Sequence, residues 1–192
     1  MKNFITLYKQ TLSPQTCEAL IQKFEANPAL FEQEFHQEKK DNWTMQFTQI
    51  NLSKHNIFKK EESLLKKLFL EAIDAYKKEH HIQSGQWPKE FSLEPLRMKR
   101  YLPNSEDVFD AHVDVLNHDT ARRFLVMFIY LNEDFEGGET DFPQLELTVQ
   151  AKQGNMILFP PMWAWWHKAN PVKGKTSKYI VGTYMHFVVN GD

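Results

Sequence analysis

The chain has 192 residues, of which 42% are hydrophobic, 25% charged and 14% aromatic, a composition that predicts a single globular domain spanning residues 1–192 with a substantial core. A net charge of −2 gives no electrostatic basis for binding nucleic acid or an anionic membrane. Cys17 is the only cysteine, which excludes an internal disulfide and a thiolate metal cluster. Neither a signal peptide nor a membrane span is evident, and the single cysteine favours a reducing compartment, so we expect a cytoplasmic protein.

Residues 1–94 are predicted to form supporting helices and one strand. Ser13 and Pro14 are typical of an N-cap and a first helical residue, which predicts a helix over residues 15–26. A longer helix is predicted from about residue 59 to residue 80, because its apolar residues recur at helical spacing: Leu64, Leu65, Leu68, Phe69, Ala72, Ile73 and Tyr76. This stripe favours packing on a sheet of the same domain over binding a partner. Residues 42–52 alternate loosely and predict a strand.

Residues 95–192 change in character, because short β-forming segments alternate with turns. Strands are predicted at residues 97–101 and 123–131; the second (RFLVMFIYL) is nearly all apolar and suits a buried position. A loop at residues 103–105 follows the first strand, and further strands are predicted at residues 140–142, 145–149, 155–159 and 179–188. Such spacing indicates a sandwich or barrel. The predicted fold class is therefore mainly β with supporting α-helices, with its barrel core in residues 95–192.

A possible metal site begins with His112 and Asp114. Residues i and i+2 of a strand share a face, so this imidazole and this carboxylate would emerge side by side. Together they suit a first-row divalent metal, although the pair alone also fits a surface His beside a surface Asp. Of the other histidines, His167 stands out because it follows an aromatic run at residues 159–166 that would exclude water. Five others are interpreted as surface residues, namely His36, His55, His80, His81 and His118.

An ordered series of short motifs links these residues. It comprises Tyr101, His112-x-Asp114, residues 123–132, the segment GGETDF at 137–142, the segment GNMILFP at 154–160, His167 with Asn170-Pro171-Val172, and Lys178-Tyr179. In this order and spacing the series resembles the iron(II)/2-oxoglutarate-dependent dioxygenases, specifically their prolyl 4-hydroxylase-like branch. The resemblance covers nearly half the chain, all of it C-terminal. It implies a double-stranded β-helix, or jelly-roll, in which His112, Asp114 and His167 hold Fe(II).

The same resemblance assigns residues around the cosubstrate. Lys178 matches the basic residue that pairs with the far carboxylate of 2-oxoglutarate. It follows His167 by eleven residues, where the family usually has ten, so Lys175 remains a minor rival. Three further positions match residues near the cosubstrate: Tyr101, Thr140 and Tyr184. Strand alternation places Tyr184 on the same face as Lys178 and Tyr179 on the opposite face.

The implied reaction converts 2-oxoglutarate and O2 into succinate and CO2 while an unactivated C–H bond is hydroxylated, with ascorbate as a candidate reductant. The substrate could be a prolyl residue in a peptide or protein, a free amino acid or a small metabolite. Arg123, Trp163, Trp165 and Trp166 are the candidate substrate contacts. The alternatives are a cupin-like metal oxygenase or isomerase without 2-oxoglutarate, and a non-catalytic binding module that retains metal. The acidic loop before His112, with Glu106, Asp107 and Asp110, is interpreted as solvated. The oligomeric state stays open.

Overall fold

The computed structural model describes residues 4–40, 43–104 and 106–188. Its two α-helices are α1 (Pro14–Glu25) and α2 (Lys59–Glu79). The strands, in chain order, are β1 (Thr6–Tyr8), β2 (Glu32–Glu38), β3 (Trp43–Asn51), β4 (Phe91–Leu93), β5 (Arg97–Tyr101), β6 (Val108–His112), β7 (Arg123–Tyr130), β8 (Glu136–Gly137), β9 (Thr140–Phe142), β10 (Leu147–Val149), β11 (Met156–Phe159), β12 (His167–Ala169), β13 (Val172–Lys173) and β14 (Lys178–Phe187). Neither of these helices combines the length and apolarity that crossing a bilayer requires.

The strands form a curled antiparallel sheet. Its order is β1-β11-β7-β14-β5-β3-β6-β12-β9-β10, with β2 beside β3 and β4 beside β14, while β8 and β13 pair separately. Strand β3 joins the two halves of the curl, because its residues 48–51 pair with β5 whereas Met45 and Gln46 pair with β6. The result is a double-stranded β-helix, which confirms the predicted fold class.

The two helices cover the outer face of the sheet. Ser13 caps α1 as predicted, with its Oγ accepting a hydrogen bond from the Thr16 amide at 3.2 Å. Both helices bury their apolar faces in one cluster with sheet residues such as Met98, Met127 and Val181. Fewer of the apolar residues predicted along α2 are buried than expected, since Leu64 is 41% exposed. A second cluster, which includes Tyr101, Tyr130, Phe142, Phe159 and Ile180, fills the inside of the curl, where the functional residues lie.

Two differences from the predicted elements have physical causes. Strand β2 was not predicted because its sequence, EQEFHQE, is almost entirely polar; it is an edge strand that pairs along its whole length with β3. The strand predicted at residues 145–149 begins two residues later, because Pro143–Leu145 forms a 3-10 turn. Asn42 and Ser105, at the start of a predicted strand and the end of a predicted loop, lie outside the described residues.

Gly182 allows the close approach of β14 to β7. A Cβ at this position would lie 2.6 Å from the Met127 carbonyl oxygen and 2.6 Å from the Phe128 Cβ. Because neither neighbour can move without shifting the sheet, Gly182→Ala should lower the free energy of unfolding by roughly 1–3 kcal/mol in urea denaturation. Gly85→Ala is the control, since no atom lies within 4 Å of its Cβ position. Equal losses of stability in the two variants would contradict this account.

Candidate active site

His112, Asp114 and His167 meet where β6 and β12 lie side by side. His112 is the last residue of β6 and His167 the first of β12, and the sheet register places them directly opposite each other. Asp114 lies beyond the end of β6, where its amide donates a hydrogen bond to the Pro161 carbonyl at 3.0 Å. The ligand atoms of the three residues lie within 4.8 Å of one another, and all three side chains are buried. Their proximity therefore comes from strand pairing and a loop hydrogen bond, in addition to the alternation on which the prediction depended.

The backbone fixes which nitrogen each histidine presents. His112 Nδ1 lies 2.7 Å from the Asp110 carbonyl oxygen, and His167 Nδ1 lies 2.9 Å from the Trp165 carbonyl oxygen. A carbonyl oxygen only accepts hydrogen bonds, so both Nδ1 atoms carry protons and both Nε2 atoms are left with a free lone pair. Metal-ligating histidines are usually oriented in this way.

The electrostatics of the cluster suit a bound cation. Burial and the neighbouring His112 lower the pKa of His167 to about 4, so its imidazole is neutral at physiological pH. Burial alone would raise the pKa of Asp114, but His112, His167 and Tyr184 together hold it below its ordinary range. Asp114 Oδ2 is buried and has no hydrogen-bond partner. Two imidazole nitrogens and an unpartnered carboxylate oxygen fit a first-row divalent metal such as Fe(II).

Asp114 is oriented from behind by Tyr184, whose hydroxyl donates to Oδ1 at 2.6 Å. The Tyr184 ring is in turn covered by the guanidinium of Arg123, with 4.0 Å between Cζ and the ring centroid. Arg123 itself is held by Glu94 through bonds of 2.7 and 2.9 Å. Arg123, predicted as a substrate contact, therefore already has an acidic partner and acts in this structure as a support for Tyr184 and Asp114.

The hydrogen bond from Tyr184 predicts a measurable effect on metal affinity. Tyr184→Phe should weaken Mn(II) or Fe(II) binding roughly 10–100-fold, the usual effect of removing a group that orients a ligand. Tyr179→Phe is a matched control, because Tyr179 lies on the opposite face of β14 and its hydroxyl donates to Glu25 at 2.8 Å. Anaerobic titration followed by calorimetry measures both constants. Wild-type affinity in Tyr184→Phe would show that Asp114 does not depend on this bond.

A cavity of about 60 Å³ extends from the three candidate ligands to Lys178. Lys178 is 1% exposed, and its Nζ donates to the Gly138 carbonyl at 2.6 Å, with no carboxylate of the described chain within ion-pair distance. Burial lowers its pKa to about 7. Tyr101 lies opposite it on β5, and Thr140, also on the cavity wall, is hydrogen-bonded to Tyr130 at 2.7 Å. The pocket is therefore suited to an anion that enters beside the ligands and ends at Lys178.

Lys175 does not reach this pocket. It is exposed and lines a separate surface depression with Glu18 and Gln22. Only Lys178 of the two candidates lies beside Tyr101 and Thr140, so the additional residue between His167 and the lysine is taken up in the turn before β14.

A second cavity, of about 280 Å³, opens on the other side of the candidate ligands and also includes His112 and Asp114. Its walls come partly from the β2–β3 hairpin and from Phe109, whose ring stacks on His112 with 3.5 Å between centroids. Trp43 lines this cavity, with its indole N–H donating to the Ala111 carbonyl at 3.1 Å. The three ligands thus lie where a deep pocket and an open groove meet, an arrangement with room for a cosubstrate on one side and a substrate on the other.

The tryptophans predicted to contact substrate line neither of these two cavities. Trp163 is 80% exposed, Trp166 is 37% exposed, and Trp165 lines a different groove beside Trp87. The aromatic run before His167 contains a 3-10 turn, Trp163–Trp165, in which Trp163 is exposed while Trp165 packs against the edge of the inner cluster. Trp165 still contributes through its backbone carbonyl, which orients His167.

Of the three acidic residues before His112, Glu106 is exposed, whereas Asp107 and the β6 residue Asp110 are structural, contrary to the solvated interpretation of this loop. Asp107 is buried, and its Oδ2 accepts a hydrogen bond from the Leu102 amide at 2.8 Å. Asp110 Oδ2 accepts one from the Thr44 amide at 2.8 Å. The loop therefore fixes β6, and with it His112, against β3.

Residues 96–186 match the sequence model of the 2OG-Fe(II) oxygenase superfamily. This match supports membership of the superfamily, and the matched segment contains all three candidate ligands and Lys178. Its fold is that of the prolyl 4-hydroxylase-like oxygenases. A search of curated proteins found no match.

Solved structures support the assignment of fold. A collagen prolyl hydroxylase of Paramecium bursaria Chlorella virus-1, in complex with 2-oxoglutarate, is 21% identical with a TM-score of 0.66, and 97% of each chain is covered. A Pseudomonas putida prolyl-4-hydroxylase is 14% identical with a TM-score of 0.65, covering 98% of this chain and 95% of that one. A Trichoplax adhaerens prolyl hydroxylase bound to a hypoxia-inducible-factor peptide is 13% identical with a TM-score of 0.74, covering 96% and 84%.

Proposed function

We propose that this protein is an Fe(II)- and 2-oxoglutarate-dependent hydroxylase that acts, as a single domain, on a prolyl residue of a peptide or protein. The observation that carries the proposal is the position of the buried, carboxylate-free Lys178 at the end of a pocket that starts at three convergent ligands. A cation buried without an anion is costly unless a ligand supplies the missing charge. A dicarboxylate that reaches from the metal to Lys178 would do so.

Each side chain has a role in this proposal. The Nε2 atoms of His112 and His167, with Asp114 Oδ2, would hold the metal, while Tyr184 keeps the carboxylate in place. Lys178 would pair with the far carboxylate of 2-oxoglutarate, with Tyr101 and Thr140 beside it. Bound Fe(II), with 2-oxoglutarate and O2, would supply the oxidising chemistry, and ascorbate would serve as reductant. Phe142 and Phe159, which pack against the His167 ring, exclude water from the inner side of the site.

A peptide substrate is favoured by the open groove on the second side of the ligands. Its walls are formed by an edge hairpin and by the aromatic residues Trp43 and Phe109, which suits an extended chain. Two of the structurally similar proteins are named for collagen and for a hypoxia-inducible-factor peptide. A free amino acid or a small metabolite is the alternative substrate, and the test below includes it. The presence of a single cysteine remains the basis for the prediction that the protein is cytoplasmic.

The decisive experiment measures succinate formation from 2-oxoglutarate by the Fe(II)-loaded protein in air, alone and with prolyl peptides, free proline or cell lysate. We expect slow turnover without substrate and a gain of one oxygen atom on a stimulating substrate. The absence of any succinate, together with intact metal binding, would replace the enzyme by a non-catalytic binding module. Stimulation by free proline alone would favour the small-molecule alternative.

Trp43 should matter for peptide turnover. Trp43→Ala removes the largest aromatic wall of the groove, so KM for a prolyl peptide should rise about tenfold, while the slow decarboxylation of 2-oxoglutarate without peptide stays near the wild-type rate. Trp163→Ala is the control because that indole is exposed and outside the groove. If Trp163→Ala had the larger effect on peptide KM, the peptide path would run over the other face of the protein.

A further inference from the structure

We propose that Lys99 forms a carboxylate-recognition site beside the metal centre, and that the substrate therefore carries a carboxylate close to the carbon that is hydroxylated. The proposal rests on the hydroxylase function above and narrows its substrate class. The carboxylate could belong to an acidic residue or a free C-terminus of a peptide, or to a free amino acid, and the experiment separates these sources.

The position of Lys99 follows from strand alternation. Met98 and Arg100 face the helices, since Met98 is in the outer cluster and Arg100 binds Glu25. Arg97 and Lys99 face the inside of the curl, and Lys99 lines both the deep pocket and the open groove. It is thus beside the ligands, between the cosubstrate side and the substrate side.

The side chain is held by aromatic rings that leave its charge facing the cavities. Nζ lies 4.4 Å from the centroid of Phe47 and 5.4 Å from that of Phe109. Phe109 is the ring that stacks on His112. The ammonium group is therefore positioned, through one intervening ring, relative to a candidate metal ligand, a precision that an exposed lysine on a flexible stem does not have.

Three charged neighbours, Arg123, Glu34 and Asp114, have other partners, whereas Lys99 has no hydrogen bond or ion pair within the described part of the chain. Arg123 is paired with Glu94, and Glu34 accepts a hydrogen bond from Gln49 at 2.6 Å. Asp114 faces the other ligands and Tyr184. No hydrogen bond or ion pair joins Lys99 to another residue of the described chain, and burial lowers its pKa to about 8. A carboxylate in the groove would supply the missing anion.

Arg97 strengthens the inference. It lies two residues before Lys99 on the same face of β5 and lines the same groove. Among the described residues, its guanidinium donates a hydrogen bond to the Pro95 carbonyl at 3.3 Å and has no acidic partner. The groove therefore contains two cations without acidic partners among the described residues, where a purely apolar peptide would need none. Lys178 already ends the deep pocket, so the two sides of the metal have separate positive groups.

The test uses probes that differ only in a carboxylate. The protein is loaded with Mn(II) and 2-oxoglutarate without oxygen, and calorimetry gives the dissociation constants of three pairs: a blocked Ala-Pro-Asp-Ala peptide against its Asn form, an Ala-Pro peptide with a free against an amidated C-terminus, and L-proline against L-prolinamide. Of the three pairs, the one whose carboxylate member is preferred most strongly identifies the source of the carboxylate. We expect the carboxylate member of at least one pair to bind roughly tenfold or more tightly, the effect of one charge-assisted hydrogen bond.

Three variants connect that preference to the lysine. Lys99→Met keeps an apolar stem against Phe47 and Phe109 and should abolish the preference, and Lys99→Arg should keep it. Lys175→Met, on the exposed turn, is the control and should behave as wild type.

Several outcomes would overturn the proposal. One is a wild-type protein that prefers no carboxylate or binds none of these probes; another is a preference that survives in Lys99→Met. A loss of 2-oxoglutarate affinity in Lys99→Met, without a change in probe preference, would assign Lys99 to the cosubstrate instead. Failure of the hydroxylase function is recognised separately, as an absence of succinate from the wild-type protein in air, while the probe preferences are measured without turnover.

Discussion

Replacing His167 with alanine should eliminate both Fe(II) binding at micromolar metal and the formation of succinate. The reason is geometric: three ligand atoms within 4.8 Å of one another are all that the described chain offers at this centre, and the other two cannot close the coordination shell alone. The loss should exceed the roughly 10–100-fold expected when only an orienting group is removed. His112→Ala and Asp114→Ala should behave in the same way.

The same variants should remain folded, which separates metal loss from unfolding. Without metal, Asp114 Oδ2 is a buried oxygen with no hydrogen-bond partner, whereas Oδ1 accepts a hydrogen bond from Tyr184. Asp114→Ala therefore removes one costly atom and one favourable bond, and it should change the metal-free melting temperature by only a few degrees, roughly 2–4 °C per kcal/mol. His186→Ala is a control for histidine removal, because His186 lies near the far end of β14, where its Nδ1 contacts the Phe187 carbonyl oxygen at 3.1 Å. Near-normal iron binding by His167→Ala would remove that residue from the centre.

How much of this site the sequence predicts depends on how local each signal is. The helix start at Ser13 and the strand at residues 97–101 depend on residues that are close in sequence, and both predictions are confirmed by the structure. The triad was also accessible, because an ordered series of motifs fixed the positions of His112, Asp114 and His167. Their approach in space depends on β6 pairing with β12, a contact between residues 55 positions apart that no local pattern specifies.

The residues on the substrate side of the site were harder to predict from the sequence, because their positions also depend on pairing between distant strands. Trp43 reaches the groove only because β3 pairs with both β5 and β6, and the strand that flanks it, β2, is too polar to be recognised. The aromatic run at residues 159–166 suggested a wall at the active site, yet a 3-10 turn directs Trp163 outward. The inward position of Lys99 could have been predicted, since it shares a strand face with Tyr101 two residues later. That it lacks an acidic partner is visible only in three dimensions.

Replacing Lys178 should weaken 2-oxoglutarate binding and leave the metal in place. A desolvated, charge-assisted pair is worth roughly 1.5–3 kcal/mol, so Lys178→Ala should raise the dissociation constant for 2-oxoglutarate by an order of magnitude or more. Fe(II) affinity should change little, because the lysine does not belong to the group of ligands. Lys175→Ala is the matched control on the exposed turn, and a larger effect there would mean that the wrong lysine has been assigned.

The protonation of Lys178 adds a pH dependence of definite sign. Burial lowers its pKa to about 7 in the free protein, and a bound carboxylate would raise it again by stabilising the ammonium. Below pH 7 the lysine is already charged, and affinity should be nearly flat; above it, binding must take up a proton. The dissociation constant for 2-oxoglutarate should therefore rise with pH above 7, by up to about tenfold per unit, until the pKa of the complex is reached. Calorimetry in buffers of different ionisation enthalpy measures this proton uptake directly. Lys178→Ala, which has no proton to gain, should bind weakly with no such slope; if its affinity fell with pH as steeply as that of the wild-type protein, another group would have to carry the proton.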